Sequence, residues 1–325
     1  MQILDSALEA TRDAAAARLM AGELVALPTE TVYGLAGDAT NGQAVARIYE
    51  AKGRPAFNPL IAHVSSFEMA RQLVDMNPVA EKLAAQFWPG PLTLVLPVAE
   101  GCPVHPLATA GLPTLAVRMP AGPMRDIVRR VGRPLAAPSA NRSGGVSPTT
   151  AAHVAHSLGE KVGMIVDGGS ARVGLESTIV KSGETGIYLL RPGGLPREAI
   201  EDFLGMELLG GGEGGIEAPG QMTSHYAPSG HVRLNAVAVK PGEYLIGFGS
   251  QALPGQEHAA GFANLSPTGD LVEAAANLFA VLAAFDAPGI HTIAVAPVPE
   301  HGLGLAINDR LRRAAAPRPF QPEKL

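Results

Sequence analysis

From the start of the chain to about Ile200, short apolar runs closed by glycine or proline alternate with stretches of helical period, the pattern of an α/β domain. ELVALPTETVYGL reads as a strand opening into a loop. NGQAVARIYEAKGRP reads as a short helix, because Val45, Ile48 and Tyr49 share a face and Gly53 followed by Pro55 stops it. LTLVLPV, PTLAVRMP, PLAAPSA, GMIVDGG, STIVKS and IYLLRPG supply further strands, and SPTTAAHVAHSLG predicts a helix with Ser147 as N-cap and Pro148 at its first position. Between about Phe203 and Gly230 the periodicity fails, and ELLGGGEGGIEAPGQMTSHYAPSG reads as a linker. EYLIGFGS, SPTGDLVEAAANLFAVLAAF, HTIAVAPV and GLAINDRLRRAA then predict a smaller α/β unit. The boundaries expected are a domain over 1–205, a linker over 206–230 and a second domain over 231–325.

Composition sharpens this picture in three places. Glycine (38) and proline (28) are abundant, yet 46% of the 325 residues are hydrophobic and only 17% charged, so the chain is loop-rich and folded. The longest apolar stretch, Ala274 to Phe285, falls short of the ~20 residues that cross a bilayer and predicts a core helix, with no membrane partner. A formal charge of -5 excludes a broad cationic surface that would hold a polyanion by counterion release, so direct nucleic-acid binding is expected to be weak or absent. The single cysteine, Cys102, and an acidic N-terminus without an apolar run point to a reducing, cytoplasmic setting.

Several motifs are absent or carry little. There is no G-x-x-x-x-G-K-[ST], so any bound ATP is not held by a P-loop. Gly210, Gly212 and Gly215 satisfy G-x-G-x-x-G but follow no convincing strand and open no helix, so they read as linker. His153 and His156 lie three apart on a helix without a third ligand nearby and read as a solvated face, Cys102 has no visible base and reads as structural or incidental, and no metal site is predicted.

Three segments hold candidate chemistry. Lys52-Gly53-Arg54-Pro55, with Asn58 close behind, puts two cations at a helix end beside a rigid turn. The plainer reading is compensation of the helix dipole; the sharper one is a guanidinium aimed at phosphate. In PTLAVRMP the two-residue period sets Thr114, Ala116 and Arg118 on one face and Leu115, Val117 and Met119 on the core face, with Arg118 about 13 Å along from Thr114. APSANRSGGVSP concentrates Ser139, Asn141, Ser143, Gly144, Gly145 and Ser147 before a helix start, either as an anion site or as a tight ligand-free connection.

Together these blocks resemble the YrdC-like family and its long two-domain branch, the threonylcarbamoyl-AMP synthases. The matching stretches are PTETVYGLAGDA, KGRP-x-x-NPLI-x-H ending at His63, FWPGPLTLVLP, LAVRMP, APSANRSGGVSPT, ESTIV, LLRPGG and SHYAP, with GLGLAINDRL near the end. The resemblance implies a twisted mixed sheet with helices and a concave cleft, plus a smaller Rossmann-like α/β C-terminal domain. It implies that Thr31, His63, Arg118 and Ser177 surround L-threonine, with Arg118 on its carboxylate. Arg54, Asn58, Thr114, Ser139, Asn141, Ser147 and Arg191 would surround ATP, with Lys52 and Arg54 the catalytic cations. His225 and Tyr226 of the linker would act as a lid.

The reaction implied joins L-threonine, bicarbonate and ATP to give threonylcarbamoyl-AMP and pyrophosphate, for modification of an adenosine in tRNA. Mg²⁺ is expected to travel with ATP, and a tRNA-modifying transferase complex is expected to accept the product. Two alternatives stay open: an RNA-binding module of the same fold, and carbamoyl transfer from another donor, which would not require threonine.

Overall fold

The structure, a computed structural model, describes residues 1–183, 185–211 and 215–317 and divides into two compact units. The first comprises Met1–Ser143 and Ser147–Gln221; the second comprises Gly144–Val146 and Met222–Leu325. The stretch 206–221 therefore belongs with the first unit and 222–230 with the second; Gly212 lies outside the described residues.

In chain order the first unit contains β1 (Gln2–Asp5), α1 (Glu9–Met20), β2 (Val25–Leu27), β3 (Gly34–Asp38), α2 (Gly42–Lys52), β4 (Ile61–His63), α3 (Phe67–Arg71), α4 (Pro78–Phe87), β5 (Leu92–Pro97), α5 (Pro106–Thr109), β6 (Thr114–Arg118), α6 (Pro123–Val131), β7 (Leu135–Ala136), α7 (Ala151–Leu158), β8 (Met164–Asp167), β9 (Thr178–Ser182), β10 (Ile187–Arg191), α8 (Arg197–Leu204) and β11 (Leu209–Gly210). The described strands form one mixed sheet in the order β1-β8-β2-β3-β7-β4-β6-β5-β9-β10-β11. The pleat explains its two cores. Ala26 of β2 and Leu24 just before it enter the main core with Ala62, Leu94, Leu115, Val117 and Val180, while Val25 and Leu27 face the other way, onto α1 and α6. Those two helices cover the second face only over the β1-to-β7 part of the sheet, leaving the β4-to-β10 part of that face for other residues.

The helices begin and end where local chemistry dictates. Asn41 caps α2 by accepting from Gln43 and Ala44 N–H, and Gly53 ends it in the left-handed region at φ 61°. The helix after the Ser147 segment starts later than the sequence predicts. Thr150, not Ser147, is its N-cap and accepts from His153 N–H, because the Ser147 hydroxyl is drawn to Glu176 and the Pro148 carbonyl takes the Tyr33 N–H.

The second unit adds β12 (His231–Arg233), β13 (Tyr244–Gly247), β14 (Gly261–Asn264), α9 (Leu271–Ala284), β15 (Thr292–Val295) and α10 (Leu303–Ala315). Its strands run parallel in the order β12-β15-β13-β14. The apolar run at Ala274 lies in α9, whose Ala274, Ala275, Leu278, Phe279 and Leu282 are buried. No helix among the described residues is long and apolar enough to cross a membrane.

Candidate active site

The face of the first sheet that α1 and α6 leave uncovered has an apolar middle and a polar end. Ile61 of β4, Val95 of β5, Ala116 of β6, Ile179 of β9 and Leu190 of β10 form the middle, and Ala218 packs onto them. The alternation of strand side chains then carries His63, Arg118 and Thr93 to the polar end, with Ser177 just ahead of β9; β4 and β6 pair in parallel so that His63 lies opposite Arg118. The split of β6 is the expected one, but its second face is covered rather than solvated: Arg118 is only 4% exposed.

Arg118 is locked by three acceptors. Its Nη2 donates to Glu30 Oε1 at 2.6 Å, its Nη1 to Thr31 Oγ1 at 2.9 Å and its Nε to Gly90 O at 3.1 Å. Glu30 Oε2 in turn accepts the Ala121 N–H, and Thr29 Oγ1 accepts the N–H groups of Thr31 and Val32, so the loop after β2 is fixed around the guanidinium. Beside it, burial and then the Arg118 charge drive His63 down to about 3, which keeps the imidazole neutral at pH 7. Its Nδ1 is buried with no hydrogen-bond partner among the described residues.

Lys52 and Arg54 play different parts. Lys52 is buried, and its Nζ lies 2.5 Å from Ser139 O, 2.5 Å from Asn141 O and 3.5 Å from Asn141 Oδ1, three oxygens for the three hydrogens of an ammonium. Ser139 Oγ donates to the same Asn141 Oδ1, and Ser143 N–H returns to Lys52 O. Burial and the neighbouring Arg54 push the Lys52 pKa well below its ordinary value, while Glu176 pulls it up. Lys52 thus ties down the Ser139–Ser143 loop. Arg54 folds over its own turn, with Nε on Asn58 O and Nη2 on Asn58 Oδ1 at 2.6 Å and Pro59 O at 2.7 Å. The rigid Gly53–Pro55 setting seen in the sequence therefore points the guanidinium inward, at 9% exposure.

Glu176 and Ser177 join these groups to the last arginine. Ser147 Oγ donates to Glu176 Oε1, and Ser177 Oγ meets Thr93 Oγ1 at 2.7 Å. Arg191 places Nη2 on Ser177 O at 2.7 Å and Nη1 on Pro219 O at 3.2 Å. The Gly194 N–H donates to Glu176 O, and a β-carbon at Gly193 would stand 2.4 Å from that same oxygen, so the PGG turn fits the Glu176–Ser177 backbone only without a side chain. Linker residues contribute here within the first unit: beside Ala218 and Pro219, Glu217 pairs with Lys181 at 2.6 Å.

Of the expected residues, Thr31 and His63 each adjoin Arg118, and Lys52 adjoins Ser139 and Asn141, Arg54 adjoins Asn58, and Ser177 adjoins Arg191, with Ser147 reaching Glu176. Thr114 stands at the other end of β6, lining a hollow of about 380 Å³ with Asp75, Asn77, Lys181 and Ser182. His225 and Tyr226 belong to the second unit, where their rings meet at 4.0 Å between centroids. Elsewhere, His153 Nδ1 faces Thr149 at the start of α7, and Cys102 is half-buried with its thiol pKa raised by burial. Sequence reasoning missed Glu30, Glu176 and Thr93. Each acid directly precedes a chosen hydroxyl, in Glu30-Thr31 and Glu176-Ser177, and that adjacency is the signal that was available.

A family model described as telomere recombination, for Sua5, YciO and YrdC proteins, matches residues 17–193, and one described as threonylcarbamoyl-AMP synthase, C-terminal domain, matches residues 195–316. The threonylcarbamoyl-AMP synthase of Pyrococcus abyssi is 44% identical over 320 residues, covering 94% of this chain and 94% of that protein. The chain belongs to the threonylcarbamoyl-AMP synthase family. The synthase of Bacillus subtilis is 40% identical over 321 residues, covering 94% and 92% of the two chains. A crystal structure of P. abyssi Sua5 complexed with L-threonine superposes with a TM-score of 0.87 at 40% identity, over 97% of this chain and 98% of that one. Escherichia coli YciO shares the fold over 59% of this chain and 95% of its own, at a TM-score of 0.54 and 18% identity.

Proposed function

We propose that the chain condenses L-threonine, bicarbonate and ATP into threonylcarbamoyl-AMP and pyrophosphate. The observation that carries this reading is the charge inventory of the shared, largely buried face. Arg54, Arg118 and Arg191 bring three guanidiniums, with Lys52 beside them, against the two carboxylates of Glu30 and Glu176, and all six side chains are nine-tenths or more buried. A cluster so rich in guanidiniums suits anions, and a carboxylate and a nucleoside triphosphate fit it.

Threonine's amine attacks bicarbonate, water leaves, and a carbamate forms. A carbamate oxygen then attacks the α-phosphorus of ATP, and the bond to the bridging oxygen breaks as pyrophosphate departs. No protein nucleophile is needed; the chain orients and neutralises. Arg118, already aimed by Glu30 and Thr31, takes the threonine carboxylate. Neutral His63 offers its unpartnered Nδ1 to the same ligand, and Thr31 and Ser177 offer hydroxyls. Arg54 and Arg191 meet the phosphates, with Asn58, Thr114, Ser139, Asn141 and Ser147 around the nucleotide, and Lys52 holds the Ser139–Asn141 loop in place. Mg²⁺ enters as part of the MgATP substrate. His225 and Tyr226 keep water from the carbamate and the acyl adenylate, both of which hydrolyse readily. The product passes to a tRNA-modifying transferase complex in the cytoplasm.

The test is pyrophosphate release with threonine and bicarbonate omitted in turn. Release requires both. Release at an undiminished rate without threonine sinks the reading and favours carbamoyl transfer from another donor.

A further inference from the structure

The motif GLGLAINDRL has no place in the chemistry above, yet its Arg310 is the largest fully buried side chain among the described residues. Removing a guanidinium from water is expensive unless something is gained by it. In the second unit Arg310 Nη1 pairs with Asp309 Oδ2 at 2.5 Å, and its guanidinium carbon stands 5.1 Å from the centre of the Tyr226 ring. Phe279 of α9 lies on the same ring at 5.5 Å between centroids. One turn further along α10, Arg313 Nε contacts both oxygens of Asp309, its Nη1 donates to Met222 O, and its own carbonyl accepts the His225 N–H. The end of α10 therefore holds the 222–226 segment by ring and backbone together.

Tyr226 needs such a hold. Its φ is 61°, in the left-handed region that a bulky side chain adopts only under constraint, and it is 1% exposed. Without Arg310 and Phe279 on its ring, the residue would relax to ordinary backbone angles and redirect His225 beside it.

We infer that Arg310, with Asp309 and Arg313, is a positioning residue for the synthase reaction: the C-terminal unit holds the His225–Tyr226 pair in the one strained conformation in which that pair serves catalysis. The inference rests on the role given to His225 and Tyr226 under the proposed function.

The experiment compares Arg310→Met, which keeps the stem and loses the charge, and Arg310→Lys, which keeps a cation for the ring. It reads kcat and KM for threonine, the yield of threonylcarbamoyl-AMP per pyrophosphate released, and the thermal unfolding midpoint. Expected for Arg310→Met is a loss of about tenfold in kcat/KM with a falling yield per pyrophosphate at an unchanged midpoint, part of it restored in Arg310→Lys. A folded Arg310→Met protein with wild-type kinetics and yield overturns the inference, and so does a loss that Arg310→Lys does not lessen. Should Arg310→Met fail to fold, Asp309→Asn decides by the same readouts: a lower yield per pyrophosphate supports the positioning role, and a wild-type yield overturns it. Absence of threonine-dependent pyrophosphate release in the unmodified protein is a different result, which strikes the proposed function itself.

Discussion

Glu30 Oε1 lies 2.6 Å from Arg118 Nη2 in a pair whose side chains are 6% and 4% exposed, and the second Glu30 oxygen accepts the Ala121 N–H. The pair is the one place on the proposed threonine side where a carboxylate already meets the guanidinium. It neutralises part of the Arg118 charge and fixes its plane, leaving the arginine oriented before any ligand arrives.

Glu30→Ala leaves Arg118 buried without its counter-ion, at an expected cost of about 3–5 kcal/mol of folding stability. Chemical denaturation measures it. Glu30→Gln, which keeps the acceptor oxygen, loses less stability and raises KM for threonine. A Glu30→Ala protein as stable as the parent removes the pair from the account.

His63 gives a pH dependence with a definite sign. Its folded pKa of about 3 lies below the unfolded value near 6.5, so between these limits the unfolded chain binds the proton and the folded chain does not. Stability therefore falls as the pH falls through this window, by about 2 kcal/mol between pH 7 and pH 5 from this group alone. Urea unfolding at the two pH values checks it, and His63→Gln shrinks the difference by that amount.

Lys52→Met and Arg54→Ala should fail differently. Lys52 holds backbone, so its loss frees the Ser139–Ser143 loop, raising hydrogen exchange there as well as lowering turnover. Arg54→Ala abolishes pyrophosphate release with exchange in that loop near the parent's. Normal turnover in Arg54→Ala removes this arginine from the mechanism.

Ala218→Asp puts a carboxylate into the cluster of Ile61, Val95, Ala116, Ile179 and Leu190. The expected outcome is detachment of the 217–219 segment, at about 1–3 kcal/mol, with weaker ATP binding as Arg191 loses Pro219 O. Limited proteolysis after residue 205 and the KM for ATP report it.

Much of this architecture was legible because burial writes itself into periodicity. β5, β6, β8, β9 and β10 coincide with runs that the sequence marks, and α2 ends at the glycine that stops it. β7 keeps only two residues of the marked PLAAPSA run, β11 is too short to carry a period, and α7 is capped at Thr150 because Ser147 answers to a carboxylate 29 positions away. The same limit governs the site. Arg118 and Ser177 stand out in their motifs, but Glu30 reveals its purpose only beside an arginine 88 positions later, a pairing that no local window contains. The Lys52 side chain reads as a phosphate cation in sequence; only the fold shows that loop carbonyls occupy it.

The contact of Gly193 with the Glu176 carbonyl also sets the limits of redesign. Libraries that aim to change which amino acid is accepted can start from Thr31, whose hydroxyl meets the side chains of Thr29 and Arg118 rather than main chain. Position 193 offers no such latitude, since alanine already collides with main chain.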